Sequence, residues 1–188
     1  MKTILLKSAA VLLLIISVAF ITTETKIVDI TKSSIQWVGH KVTGQHEGTI
    51  TLQVGTLEFN ANQLTGGNFV MDMTTINTTD LQGEYKNKLD GHLKADDFFG
   101  VETYKTASLI FTSVTKNGET YSVTGDLTIK NITNEITFEL AVAENTASTT
   151  FQVDRTKYGI KYGSASFFDG LKDKAIYNEF DLKVSLKF

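Results

Sequence analysis

The sequence predicts an all-β protein, an antiparallel barrel or sandwich carrying one short helix, and three observations point there. Short segments with apolar residues at every second position follow one another, divided by turn residues. Between Thr79 and Phe99 the apolar spacing becomes four, through Leu81, Tyr85, Leu89 and Leu93. The chain then ends on Phe180, Leu182, Val184, Leu186 and Phe188, an alternating row that belongs in a sheet and permits closure into a barrel.

Taken in order, Lys2 and Lys7 precede an apolar run from Ala9 to Ile16, and Ser17-Val18-Ala19 offers small residues at cleavage spacing. This reads as a signal peptide over residues 1–19, cut between 19 and 24, followed by a single domain over 24–188. The run is short for a membrane span of roughly 20 apolar residues, so no stable membrane insertion is expected after cleavage. Ile35, Trp37 and Gly39 alternate with polar neighbours. The apolar parity of Leu52 and Val54 flips at Gly55 before Leu57 and Phe59, which signals a turn or bulge. Phe69, Met71 and Met73 form the next face after a Gly66-Gly67 turn signal. Thr79-Asp80-Leu81-Gln82 fits a capping box, predicting a helix over about 80–93 and a helical turn near 95–99, with Gly91 either ending the helix or weakening it. Leu109 to Ile129 reads as a hairpin whose Asn117-Gly118 pair suits a type I′ turn. Ile136, Phe138, Leu140 and Val142 repeat the alternation, and Ser164 to Leu171 reads as a loop or short helix before the last strand.

Composition removes several functions. The 188 residues include no cysteine, which excludes disulfides, thiolate catalysis and cysteine-type zinc sites. Cleavage after Ala19 would take the formal charge from −3 to about −5, which disfavours nucleic acid or an anionic membrane as a partner. His40 and His46 lack a third ligand, so no metal site is expected. No Gly-x-Ser-x-Gly elbow occurs, and the adjacent Asp96 and Asp97 point apart in a helical turn, so no catalytic residues are expected. His92 is better placed to orient the helix or touch a ligand head group.

Two double-phenylalanine segments remain, Phe98-Phe99 and Phe167-Phe168, both outside regular strands. Such residues can roof an open barrel end over an apolar ligand, while the strand faces need only a packed core. Periodicity alone leaves both readings open.

Several motifs appear in order: Ser34 to Lys41, then Gly44 and His46-Glu47-Gly48, Asp90 to Phe99, Val123 to Ile129, and Asp154 to Ile160. Together they resemble the YceI-like, or polyisoprenoid-binding, family. The resemblance implies an extended eight-stranded antiparallel lipocalin-like β-barrel that holds a polyisoprenoid or isoprenoid quinone in an internal tunnel. It also implies a periplasmic or extracellular location and, in many members, a homodimer. Trp37, Leu93, Phe98, Phe99, Leu127 and Tyr158 stand at matching motif positions as tunnel or mouth residues. Phe69, Met71, Leu89, Phe111, Phe167 and Phe168 complete that set. Arg155 matches an Asp-Arg motif and either contacts a head group or pairs with an acid such as Asp154. The family's usual glycine in the turn after Leu127 is replaced around Asn131.

The expected function is therefore lipid sequestration or transport without chemistry, requiring no cofactor other than the bound lipid. The alternative is a secreted structural or stress-related interaction module with a packed barrel and no ligand. A third reading, a lipid-modifying enzyme, would need Glu84, His92, Asp169 or Arg155 inside the cavity.

Overall fold

In the computed structural model, residues 23–188 are described, and the expected signal peptide lies outside them. Nine strands run in chain order: β1 (Thr23–Ile27), β2 (Ser34–Lys41), β3 (Gly44–Asn60), β4 (Gln63–Thr78), β5 (Thr106–Asn117), β6 (Thr120–Ile129), β7 (Ile132–Ala143), β8 (Thr146–Asp154) and β9 (Ile176–Lys187). Each pairs antiparallel with its neighbours. Strands β2 to β9 form the closed eight-stranded barrel, because β9 pairs with both β2 and β8, while β3 pairs with both β2 and β4. β1 is an addition, laid against Thr56–Asn60 of β3 beyond the reach of β2. Among the described residues no helix is long and apolar enough to cross a membrane.

The parity flip near Gly55 is a bulge inside one long strand, since the β3–β4 register slips between Leu52 and Val54. The extra residue turns Val54 outward and Gly55, Leu57 and Phe59 inward. Gly66 and Gly67, read as a turn, lie within β4 instead. A β-carbon at Gly67 would come 2.8 Å from the Phe111 ring, so glycine serves close packing there.

The turns also differ from expectation. In the β5–β6 hairpin Asn117 pairs with Thr120, so the central residues are Gly118 and Glu119, and only Gly118 has positive φ. That is the sign pattern of a type II′ turn. Type I′ signs occur at two sites without glycine, Ala61-Asn62 and Lys130-Asn131, where both residues lie in the left-handed region.

The helix α1 spans Gly83–Lys94. Its N-cap is Gln82, with no side-chain cap, and the expected Thr79 capping box does not form. Thr79 instead donates its N–H and its hydroxyl to the Glu47 carbonyl, which ties the chain to β3 before the helix begins. Gly91 is carried inside the helix. Only the second half of the four-residue apolar row packs, for Leu93 is buried and Leu89 partly buried while Tyr85 is 75% exposed. Asp90 anchors α1 to the barrel by accepting the Thr78 N–H and the Lys86 ammonium. Consecutive turns follow, with Phe98 N–H donating to Ala95 and Phe99 N–H to Leu93.

The interior packs in two clusters. One surrounds Leu57, Val123 and Leu140; the other surrounds Trp37, Ile76, Leu93, Phe98, Tyr158 and Ile160. Leu57, Val123 and Ile160 are fully buried, and each such side chain contributes about 1.5–3 kcal/mol. Between the clusters, Met71, Leu109, Phe151 and Leu182 touch both and are only partly buried.

One joint of the ring is short. β7 and β8 share three register pairs, Ala141 to Ala143 against Thr146 to Ser148. Below that, stacked Phe138 and Phe151 rings 4.7 Å apart and a Thr149 hydroxyl bond to the Glu139 carbonyl join the two strands.

Candidate ligand cavity

The half-buried residues between the clusters face a cavity of about 140 Å³, measured to the centre of a water-sized sphere. Most of its wall is apolar side chain, interrupted by His40, Thr149, Arg155, Tyr177 and Glu179. Period-two alternation explains this wall, because every second side chain of a barrel strand points inward. On β9 the wall runs from Ile176 to Leu186. Because β9 carries two extra residues between its pairings with Lys41 and Gly39, the span counts as eight regular steps, and at roughly 3.3 Å each with a strand tilt of about 40° it covers about 20 Å of barrel axis. Spread over that length and widened by the sphere's ~1.4 Å radius on each side, the volume gives a bore about 6 Å wide. Carbon atoms in contact sit ~3.5–4.0 Å apart, so the bore accepts one hydrocarbon chain and not two abreast. Along its aliphatic and aromatic stretch a water would find no hydrogen-bond partner.

Of the residues nominated from sequence, Trp37, Phe69, Met71, Leu93, Phe98, Phe99, Phe111, Leu127 and Arg155 lie along this wall. Four others do not. Leu89 packs from α1 behind the wall, and Tyr158 is fully buried in the cluster beneath it. Burial pushes the Tyr158 hydroxyl up to about 12, aided by the negative charge of Asp154. Phe167 and Phe168 remain 47% and 50% exposed, and the Lys161 ammonium sits 4.7 Å from the Phe167 ring. They do not roof the cavity. Sequence reasoning passed over Ile50, Phe138, Phe151, Phe180 and Leu182, which also line it. Alternation marked Phe138, Phe180 and Leu182 as inward, but alternation is the same for a packed core.

The roof is built from α1 and the turns after it. Phe98 stands beside Phe99 at 5.3 Å, beside His92 at 5.3 Å, and 5.7 Å from the Arg155 guanidinium carbon. Lys130, at the β6–β7 turn, donates to the Asp96 and Phe98 carbonyls and fastens this segment to the barrel. His92 therefore orients the roof: its ring meets Phe98 and Tyr162, and its Nδ1 lies 4.0 Å from Asp97.

Arg155 forms no ion pair with Asp154; its nitrogens bond to backbone carbonyls. It is 3% exposed, and its Nε, Nη1 and Nη2 donate to the carbonyls of Tyr177, Ile160 and Ile176 at 3.0, 2.9 and 3.1 Å. The guanidinium thus ties the 3₁₀ turn Arg155–Tyr158 to the start of β9. Burial lowers its pKa, opposed by Asp154 and Glu179, yet a guanidinium stays charged at neutral pH. Asp154 caps the turn instead, accepting from the Thr156 N–H and hydroxyl.

The remaining histidines pair with aspartates, His40 with Asp181 at 2.7 Å and His46 with Asp80 at 2.8 Å. Among the described residues no group of three acidic or histidine side chains is arranged to hold a metal. Chemically, the arrangement can enclose a single apolar chain in an apolar bore.

Known proteins share this architecture. The fold resembles a crystal structure of BcnA from Burkholderia cenocepacia, with a TM-score of 0.67 at 21% identity, covering 85% of this chain and 98% of that one. It also resembles a polyisoprenoid binding domain from Saccharophagus degradans, implicated in plant cell wall breakdown, with a TM-score of 0.60 at 14% identity over 89% and 98% of the two chains. In sequence, a UPF0312 protein of Staphylococcus aureus is 39% identical over 87 residues, 40% of this chain and 48% of that protein. The YceI protein of Escherichia coli O157:H7 is 38% identical over 65 residues, 35% and 34% of the two. The chain thus spans about half the length of the Staphylococcus relatives and a third of the Escherichia one. The model of the YceI-like domain matches residues 27–188, and the chain belongs to that family.

Proposed function

We propose that the protein is a carrier that holds one long apolar lipid, a polyisoprenoid or isoprenoid quinone, inside its barrel. The observation that carries this reading is the bore: an apolar cavity wide enough for one chain, left between two well-packed clusters. A packed barrel would have buried Met71, Leu109, Phe151 and Leu182 completely. The polyisoprenoid binding domain of Saccharophagus degradans, with its similar fold, supports the same ligand class. The wall along the bore is mainly aliphatic and aromatic, which supports holding the ligand and not transforming it. The lysine-flanked apolar N-terminus and the lack of cysteine-dependent chemistry favour work in the periplasm or outside the cell.

Burial at about 0.8 kcal/mol per methylene, reduced by the cost of ordering the chain, makes affinity rise with ligand length until the bore is full. Native mass spectrometry and solvent extraction of protein purified from a lipid-replete bacterial host test the reading. The expected result is one long-chain neutral lipid per barrel. Lipid-free protein from such cells, together with no uptake of added prenols, would refute it.

A further inference from the structure

We propose that the cavity opens to solvent beside Gly39, and that the missing side chain at this position is the aperture through which the apolar chain is admitted and released. The proposal rests on the carrier reading above and adds the route and the residue that controls it.

The inner face of β2 reads Ile35, Trp37, Gly39. The first two fill their space and are 7% and 6% exposed, whereas a β-carbon built on Gly39 meets no heavy atom within 4 Å. Other inward glycines differ. At Gly48 the Trp37 ring would lie 2.5 Å away, at Gly55 the Phe69 ring 2.9 Å, and at Gly125 the Ile110 carbonyl 2.9 Å. Those glycines admit a neighbour, while Gly39 faces open space and lines the cavity.

The neighbouring strand also recedes. Gly39 pairs with Phe180 and Lys41 with Ile176, so a two-residue step on β2 faces a four-residue step on β9, and the segment Tyr177–Glu179 arches away from the ladder. Arg155 grips that arch through the Tyr177 and Ile176 carbonyls. The other side of the rim is fixed by Asp181, which accepts from Gln152 at 2.8 Å and pairs with His40. Cavity-lining residues that also meet solvent gather here, with Tyr177 at 54%, the His40 side chain at 29%, and Glu179 exposed. The short β7–β8 joint is the rival route, but the Phe138 and Phe151 stack closes it in this conformation. Gly39 does not have positive φ, so a larger residue fits its backbone without strain and blocks only the space.

The chain has one tryptophan, Trp37, on the cavity wall, which supplies an intrinsic optical reporter. Stopped-flow fluorescence would follow uptake of geranylgeraniol, a neutral single-chain prenol, and its release into excess phosphatidylcholine vesicles. Gly39→Leu should slow both uptake and release at least ten-fold, leaving Kd within three-fold and the melting temperature unchanged. Gly39→Ala, the smaller probe, should slow both about three-fold, and serves alone if the leucine variant folds poorly. Unchanged rates in the folded variants would overturn the aperture and point to the β7–β8 joint. A weakened Kd with unchanged uptake would overturn it too, making Gly39 a resting place for the ligand. Absence of binding to wild-type protein would instead refute the carrier reading, and the aperture with it.

Discussion

Replacing Arg155 with methionine should cost the fold several kcal/mol and leave lipid retention per folded molecule unchanged. The methionine retains most of the apolar stem but supplies none of the three hydrogen bonds that reach Tyr177, Ile160 and Ile176. A buried carbonyl that loses its donor costs about 1–3 kcal/mol. The bond to Ile160 is buried and the other two are part-buried, where water recovers some of the loss. The sum comes to about 3–5 kcal/mol, a large fraction of the ~5–15 kcal/mol that stabilises a typical domain. Urea unfolding would read it directly: with a slope near 2 kcal/mol/M, the midpoint should fall by about 1.5–2.5 M. Arg155→Lys keeps the charge without the fork and should fall between. A midpoint shift below about 0.5 M would refute the reasoning, as would lost lipid retention in a variant of full stability, which would make Arg155 a ligand contact.

Three further outcomes are expected. Gly48→Ala should lower the melting temperature clearly, because its β-carbon would overlap the Asn77 carbonyl and the Trp37 ring, whereas Gly39→Ala should not; equal melts would contradict the packing described. Trp37→Ala and Phe99→Ala should reduce recovered lipid several-fold, while Phe167→Ala and Phe168→Ala, at exposed positions, should leave it unchanged when extracts are quantified by mass spectrometry. The hydrogen bond from His40 and then that from Gln152 hold the Asp181 carboxyl below the usual carboxylate range. That stabilisation is complete above the ordinary value near pH ~4 and is lost as pH falls through the lowered one. Asp181→Asn should therefore be less stable than wild type at neutral pH, and the two acid-unfolding curves should converge at the acid end.

The strand faces were legible in the sequence because a two-residue period has one structural meaning once a side is apolar. That holds for Tyr121 through Ile129 and for the closing row from Phe180. The turns were less legible. Lys130 and Asn131 adopt left-handed conformations because the hairpin twist requires them, although neither is the glycine that usually reports such a turn. The irregular segments were least legible. Phe98-Phe99 and Phe167-Phe168 are alike in composition, yet the first is fixed over the bore by Lys130 and the second stays at the surface. Nothing local distinguishes them, since the fastening residue lies 32 positions away. Gly39 carried no signal of its own, for a glycine facing a void and one facing a packed ring read identically.

The short β7–β8 joint makes this barrel, in mechanical terms, a clasped ribbon more than a seamless tube. Every other joint is held by a longer backbone ladder, so thermal opening should begin where the clasp is a ring stack and one hydroxyl bond. Opened there, the ribbon presents two strand edges with unpaired amides and carbonyls, the surface on which sheets join into larger assemblies. Phe138 and Phe151 thus guard the molecule against its own copies as well as lining the cavity.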